Sequence, residues 1–127
     1  MQISDAEWIV MNVVWDSSPI EAAEVIDRVA SANGWSDATV KTMLHRLVRK
    51  GVIATEKAGK KYRYRPAVRR EACIWQASRS FLDRVFGGDA APALIHFVKT
   101  ARLSATEAAE IRALLDQKID STEGDAS

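Results

Sequence analysis

One cysteine, Cys73, stands alone in a chain of 127 residues. It leaves no intramolecular disulfide to form and suits a reducing cytoplasm. No run approaches the roughly 18 uninterrupted apolar residues of a membrane span, so no membrane insertion is expected. The opening residues Met1-Gln2-Ile3-Ser4-Asp5 carry neither a basic nor an apolar region, so no secretory signal is expected and the chain is assigned to the cytoplasm. Metal chemistry lacks its ligands: His45, His96 and Cys73 are scattered, with no C-x-x-C or H-x-x-x-H spacing. Nucleophilic catalysis lacks a G-x-S-x-G motif. Phosphate cradling lacks a glycine loop, because Gly87-Gly88 is isolated. No enzyme activity, cofactor or metal is therefore expected. Cys73 reads as a core residue. Trp8, Trp15, Trp35 and Trp75 read as packing anchors rather than as a base-stacking platform.

Charge is plentiful and unevenly placed. The whole chain carries a formal +1. Residues 1–40 hold seven acids against Arg28, a balance of −6. From Lys41 to Arg65, nine basic residues face only Glu56, a balance of +8. A nucleic-acid backbone is the commonest partner for such a surface.

Hydrophobic periodicity places that charge on definite elements. Ser4 and Glu7 form an S-x-x-E capping box, with Ile3 and Trp8 at the positions of a hydrophobic staple. Trp8, Met11, Val14 and Trp15 continue at helical spacing until Asp16-Ser17-Ser18-Pro19. A second helix is expected from about Glu21 to Ser31, with Ala22, Val25, Ile26 and Val29 as its stripe and Asn33-Gly34 as its stop. A third starts at the Ser36 N-cap, turns Val40, Leu44, Leu47 and Val48 inward, and ends at Gly51. Val52–Glu56 and Tyr62–Arg65 read as two strands joined by the basic turn Lys57–Lys61. Tyr62-Arg63-Tyr64-Arg65 alternates, which predicts a packed aromatic face and a charged one. The expected fold is mainly α with a small antiparallel β-wing: a winged helix-turn-helix at 1–66, then a three-helix dimerisation domain at 67–120. Residues 121–127 read as a disordered tail.

The third helix has the properties of a recognition helix. Opposite its apolar stripe lie Ala38, Thr39, Thr42, His45 and Arg46, the candidates for reading bases. Thr39 and Thr42 are short hydroxyls placed early, and Arg46 can reach guanine O6 and N7. Lys41, Arg49, Lys50, Lys57, Lys60, Lys61 and Arg63 suit phosphates. Double-stranded DNA is the partner so predicted. The alternative is a protein-binding winged-helix adaptor whose basic face meets an acidic partner.

Beyond Ala67 the pattern is helical. Ile74, Ala77, Phe81, Leu82 and Val85 line one helix, from about Arg69 to Phe86. Leu94, Ile95, Phe97 and Val98 mark a second. Ser104 and Glu107 cap a third that carries Ile111, Leu114, Leu115 and Ile119. So small a segment buries little surface alone. Pairing with a second copy through Ile74, Phe81, Leu82, Val85, Leu94, Phe97, Val98, Ile111, Leu114 and Leu115 is expected, as a two-fold homodimer; the alternative is that these helices pack back on the winged helix.

Several of these residues resemble a known family. Ile3-Ser4-Asp5-Ala6-Glu7-Trp8, Val10-Met11-Asn12 and Trp15 are similar to the opening helix of the penicillinase repressor family (BlaI/MecI/CopY type). Trp35-Ser36, Thr39-Val40-Lys41-Thr42, Arg46-Leu47 and Lys50-Gly51 resemble its recognition helix. Tyr62-Arg63-Tyr64 resembles its wing strand, and Leu103-Ser104 the start of its last helix. The resemblance implies a homodimeric repressor on a palindromic, inverted-repeat operator, with Thr42 and Arg46 foremost in reading bases. It also implies a membrane sensor-protease system whose signal leads to cleavage before a Phe in the dimerisation domain. The matching bond is His96-Phe97, where the family pattern has Asn before the Phe. The C-terminal cysteine motif of copper-responsive members is not in this sequence.

Overall fold

In a computed structural model the backbone is described for residues 2–126 and the side chains for residues 2–121. Six helices and a three-stranded antiparallel sheet follow in the order α1 (Asp5–Ser17), β1 (Ile20–Glu21), α2 (Ala22–Asn33), α3 (Asp37–Arg49), β2 (Ile53–Ala58), β3 (Lys61–Pro66), α4 (Arg70–Phe86), α5 (Ala90–Thr100) and α6 (Ala105–Ala126). The tail expected at 121–127 thus falls on the end of α6. Ser127 and the side chains from 122 onward lie outside the described residues.

The chain groups into two compact units, Met1–Phe81 and Leu82–Ser127. Most of α4 goes with the first, whereas the sequence places a boundary after residue 66.

Within the first unit, α1, α2 and α3 enclose a core of Val10, Met11, Val14, Val25, Val29, Val40, Met43, Leu44 and Leu47. Ile20, Val52 and Ile53 close it from the sheet side. Each such side chain contributes about 1.5–3 kcal/mol through burial. The inward face of α1 differs from the expected stripe: Glu7, Val10, Met11 and Val14 are buried, while Trp8 and Trp15 are half-exposed. The two indoles meet at 5.6 Å between centroids. An indole is large and rarely fully buried, and here smaller side chains fill the centre.

Local signals set the helix ends. The Ser4 hydroxyl accepts from Glu7 N–H, and Ser4 N–H donates to the Glu7 carboxylate, as the capping box predicts. Gly34 takes φ 68° at the end of α2, where its N–H reaches back to Ala30 and Ser31. Ser104 and Glu107 make the second capping box, at the head of α6.

The wing differs in two ways from its expected form. Its turn is only Gly59-Lys60, because Ala58 pairs with Lys61, so Lys57 and Lys61 are strand residues. A two-residue loop matches the twist of the strands when glycine supplies a positive φ, here 67°. The sheet also has a third strand: Ile20 and Glu21 pair with Tyr64 and Arg63, giving the order β1-β3-β2. Tyr64 is half-buried against the core, but Tyr62 is 57% exposed, so only one of the two tyrosines packs there.

The start of α4 is clasped to the end of α1. Trp15 Nε1 donates to the Val68 carbonyl at 3.1 Å. The Arg70 guanidinium lies 5.3 Å over the Trp15 ring and donates to Asp16 at 2.8 Å. Cys73 is buried, which pushes its thiol pKa up and keeps it protonated. Trp75 is not the packing anchor expected: it is 70% exposed, one position past Ile74 on the outer side of α4.

In the second unit, Gly87 and Gly88 both take positive φ and end α4, with Gly88 N–H bonded to the Leu82 carbonyl. The Asp89 side chain caps α5 through Ala91 N–H. Among the described residues of this unit only Ala93 is fully buried.

Candidate nucleic-acid interface

Helix α3 divides its residues cleanly. Val40, Met43, Leu44 and Leu47 are buried, and Val48 is half-buried. Ala38, Thr39, Thr42, His45 and Arg46 are all exposed on the other side. The packed spine holds the helix, and the exposed row is free to enter a groove. Its N-terminus is set by Ser36, whose hydroxyl accepts from Thr39 N–H at 3.1 Å and lies 2.9 Å from the Thr39 hydroxyl. Thr42 Oγ1 donates to the Ala38 carbonyl at 2.9 Å. That bond orients the Thr42 side chain before any ligand arrives.

Around this row the cations fall into three groups. Lys41, Arg46, Arg49, Lys57, Lys60 and Arg63 are exposed and make no ion pair among the described residues. Lys61 is held loosely by Glu21 at 3.6 Å, and both side chains remain solvated. Such a surface pair is worth about 0–1 kcal/mol and yields readily to a phosphate.

Lys50 forms the third group by itself. Its ammonium donates to Glu7 at 2.7 Å and to the Gln2 carbonyl at 2.8 Å. Of the phosphate candidates it alone is tied into the fold by a buried carboxylate. Arg65 is likewise paired, with Glu56 on the neighbouring strand.

A cleft of about 440 Å³ opens beside the recognition face, between the first turns of α2 and α3 and strand β3. Glu21, Asp27 and Asp37 line it together with Lys41, Lys61 and Tyr62. Its three carboxylates make it a poor seat for phosphate. Sequence reasoning misses this cleft, because its walls come from three separated segments with no shared motif. Among the described residues no group of three or more His, Cys, Asp or Glu could hold a metal ion. No helix there is long and apolar enough to cross a membrane.

The residues expected to pair two copies lie on α4, α5 and α6. Ile74, Val85, Leu94, Phe97, Val98, Leu114 and Leu115 are exposed, while Phe81, Leu82 and Ile111 are half-buried. His96 and Phe97 sit inside α5 with their rings edge to face, 5.5 Å apart.

The sequence pattern of one protein family, described as penicillinase repressor, matches residues 3–117. The chain is 36% identical over 116 residues to the penicillinase repressor of Bacillus licheniformis, covering 91% of each. It is 32% identical over 117 residues to the methicillin resistance regulatory protein MecI of Staphylococcus aureus, covering 92% of this chain and 95% of the relative. Among solved structures, the DNA-binding domain of the repressor BlaI superimposes with a TM-score of 0.51 at 42% identity, over 54% of this chain and 84% of that one. The monomeric form of Bacillus licheniformis BlaI in complex with the blaP half-operator does so with a TM-score of 0.51 at 41% identity, over 56% of this chain and 87% of that one. With its winged helix and a match of this extent, the chain belongs to the penicillinase repressor family.

Proposed function

We propose that this chain is a homodimeric transcriptional repressor that binds an inverted-repeat operator through α3 and the wing. The observation that carries this reading is the division of α3. A buried spine of Val40, Met43, Leu44 and Leu47 backs an exposed row from Ala38 to Arg46, and unpaired cations flank that row. The row reads base edges in the major groove, while Lys41, Arg49, Lys57, Lys60 and Arg63 take phosphates. The BlaI complex with a half-operator supports DNA as the partner rather than an acidic protein.

Pairing rests on the second unit. With Ala93 alone fully buried among its described residues, the apolar side chains of this unit lack the core that would hold three helices together. A second copy supplies that core, and two-fold symmetry then explains a palindromic site.

A mobility-shift titration tests this reading. The chain is expected to retain an inverted repeat from a randomised duplex pool, with affinity falling by about 0.9 log units per log unit of salt for each phosphate neutralised. Equal affinity for the enriched repeat and for random duplex would reject operator reading.

Release from the operator is proposed to follow cleavage of His96–Phe97 under the control of a membrane sensor-protease system. The bond lies within α5, so the helix must unwind locally before a protease can grip it. Intact-mass measurement on chain recovered from induced cells should show a break between residues 96 and 97. Recovery of only the full-length chain during derepression would exclude this route.

A further inference from the structure

Among the described residues Glu7 is the one charged side chain that is fully buried, 3% exposed. It lies in the first turn of α1, yet it holds the far end of the recognition helix. Lys50 is the C-cap of α3, and Gly51 and Val52 lead directly into the wing. The Lys50 ammonium donates to Glu7 Oε1 at 2.7 Å and to the Gln2 carbonyl at 2.8 Å. The same Glu7 oxygen accepts from Ser4 N–H at 2.9 Å. Two segments therefore converge on one ion pair, the N-terminus of α1 and the C-terminus of α3, and the chain passes from the second into β2.

We infer that Glu7 and Lys50 are positioning residues for DNA reading, which set the recognition helix and the wing at their working angle, and that Lys50 does not contact phosphate.

The chemistry supports this role. Glu7 Oε2 is buried with no hydrogen-bond partner among the described residues, so the carboxylate is compensated through Oε1, by the Lys50 ammonium and Ser4 N–H. A buried charge that loses its partner is costly, which makes the pair hard to open. Transferring Lys50 to a phosphate would take from Glu7 the one cation that pairs with it among the described residues. Recognition requires side chains held within about 0.5 Å and 10–20° of their productive geometry. The core holds α3 along its length, and the Glu7–Lys50 pair holds the end where the chain turns into the wing.

The inference rests on the DNA-reading function proposed above, and charge arithmetic gives the two a clean separation. If only net charge mattered, removing the Glu7 carboxylate would strengthen binding to a polyanion. Positioning predicts the opposite sign. If Lys50 held a phosphate, its removal would lower the salt slope by about 0.9. Positioning predicts weaker binding with an unchanged slope.

The test uses the full chain and the inverted-repeat duplex that wild type enriches from a random pool. Glu7→Gln, Lys50→Met and the double variant are titrated at several salt concentrations, with Lys57→Ala as the phosphate-contact comparator. Thermal melts set a temperature at which every variant is folded. Each single variant is expected to weaken binding roughly three- to thirtyfold, with the double no worse than the poorer single, as coupled partners behave. Slopes should match wild type, and the enriched base profile should broaden. Lys50→Arg, which can still reach Glu7, should restore both affinity and profile. A stability role alone would move the melts and leave affinity, slope and profile unchanged, which would overturn the inference. A lower slope for Lys50→Met, equal to that of Lys57→Ala, would also overturn it. So would tighter binding by Glu7→Gln, which would make the carboxylate a restraint on a phosphate contact. Should Glu7→Gln fail to fold, the slope and profile of Lys50→Met still decide. Failure of wild type to enrich any repeat would instead defeat the DNA-reading function itself.

Discussion

Thr42 donates its hydroxyl hydrogen to the Ala38 carbonyl inside α3. What it turns outward is therefore a lone pair and a methyl group. A lone pair can accept from the amino group of adenine or cytosine, and a methyl can pack on the thymine methyl. On the proposed reading, guanine O6 and N7, which need a donor, fall to Arg46. Thr42→Val keeps the methyl and removes the acceptor. It should cost about 1–3 kcal/mol at an amino-bearing base and shift that single position towards thymine. Selection of the preferred operator by the variant checks this, and an unaltered profile would remove Thr42 from the reading set. Lys50 shows the limit of reading residues one at a time. In the sequence it is one more cation in a basic window, yet its partner lies 43 positions earlier, in the capping box. No local pattern links them, because Glu7 already has a sufficient role as the N3 residue of its own helix.

Among the elements, the helices were the most legible and the sheet the least. Ser4, Ser36 and Ser104 announce three helix starts by chemistry confined to four residues, and the structure places a cap at each. Two-residue β1 has no period to read; it exists because β3 offers an unpaired edge beside Ile20 and Glu21. In the stripe of α1, Met11 and Val14 are buried as their spacing predicts, but Glu7 and Val10 take the inner places that indole size assigns to Trp8 and Trp15. The start of α1 also carries a pH dependence. Burial pushes the Glu7 carboxyl up, but the hydrogen bonds from Lys50 and Ser4 outweigh it and hold the carboxyl below its ordinary value. A carboxyl whose pKa is depressed by folding stabilises the fold above its unfolded value, and that contribution is lost as pH falls through the folded one. Melting temperature should therefore drop below about pH 4 more steeply for wild type than for Glu7→Gln. Parallel pH profiles for the two proteins would contradict this origin.

For the whole molecule, the exposed apolar surface of the second unit is the feature that most needs a partner. Leu114 is 64% exposed on α6 and Phe97 48% exposed on α5. An introduced charge at Leu114 should leave the winged helix folded and prevent pairing of two copies. Wild type is expected to sediment as a dimer and Leu114→Glu as a monomer at the same concentration, and the variant to lose most of its affinity for a full repeat while keeping its affinity for half of one. A dimeric Leu114→Glu would move the interface elsewhere. The composition of residues 67–120 signals this surface from the sequence, because so short a segment carries more apolar side chains than it can cover.

The concentration of charge has a consequence for how such a protein finds its target. A molecule of overall charge +1 has little long-range pull towards a polyanion, whereas its window from Lys41 to Arg65 carries +8. On the proposed reading, chance encounters with unrelated duplex are held by the same side that inspects bases. A repressor built this way would have no need to let go and turn over before testing each register, so scouting and verification would become a single motion.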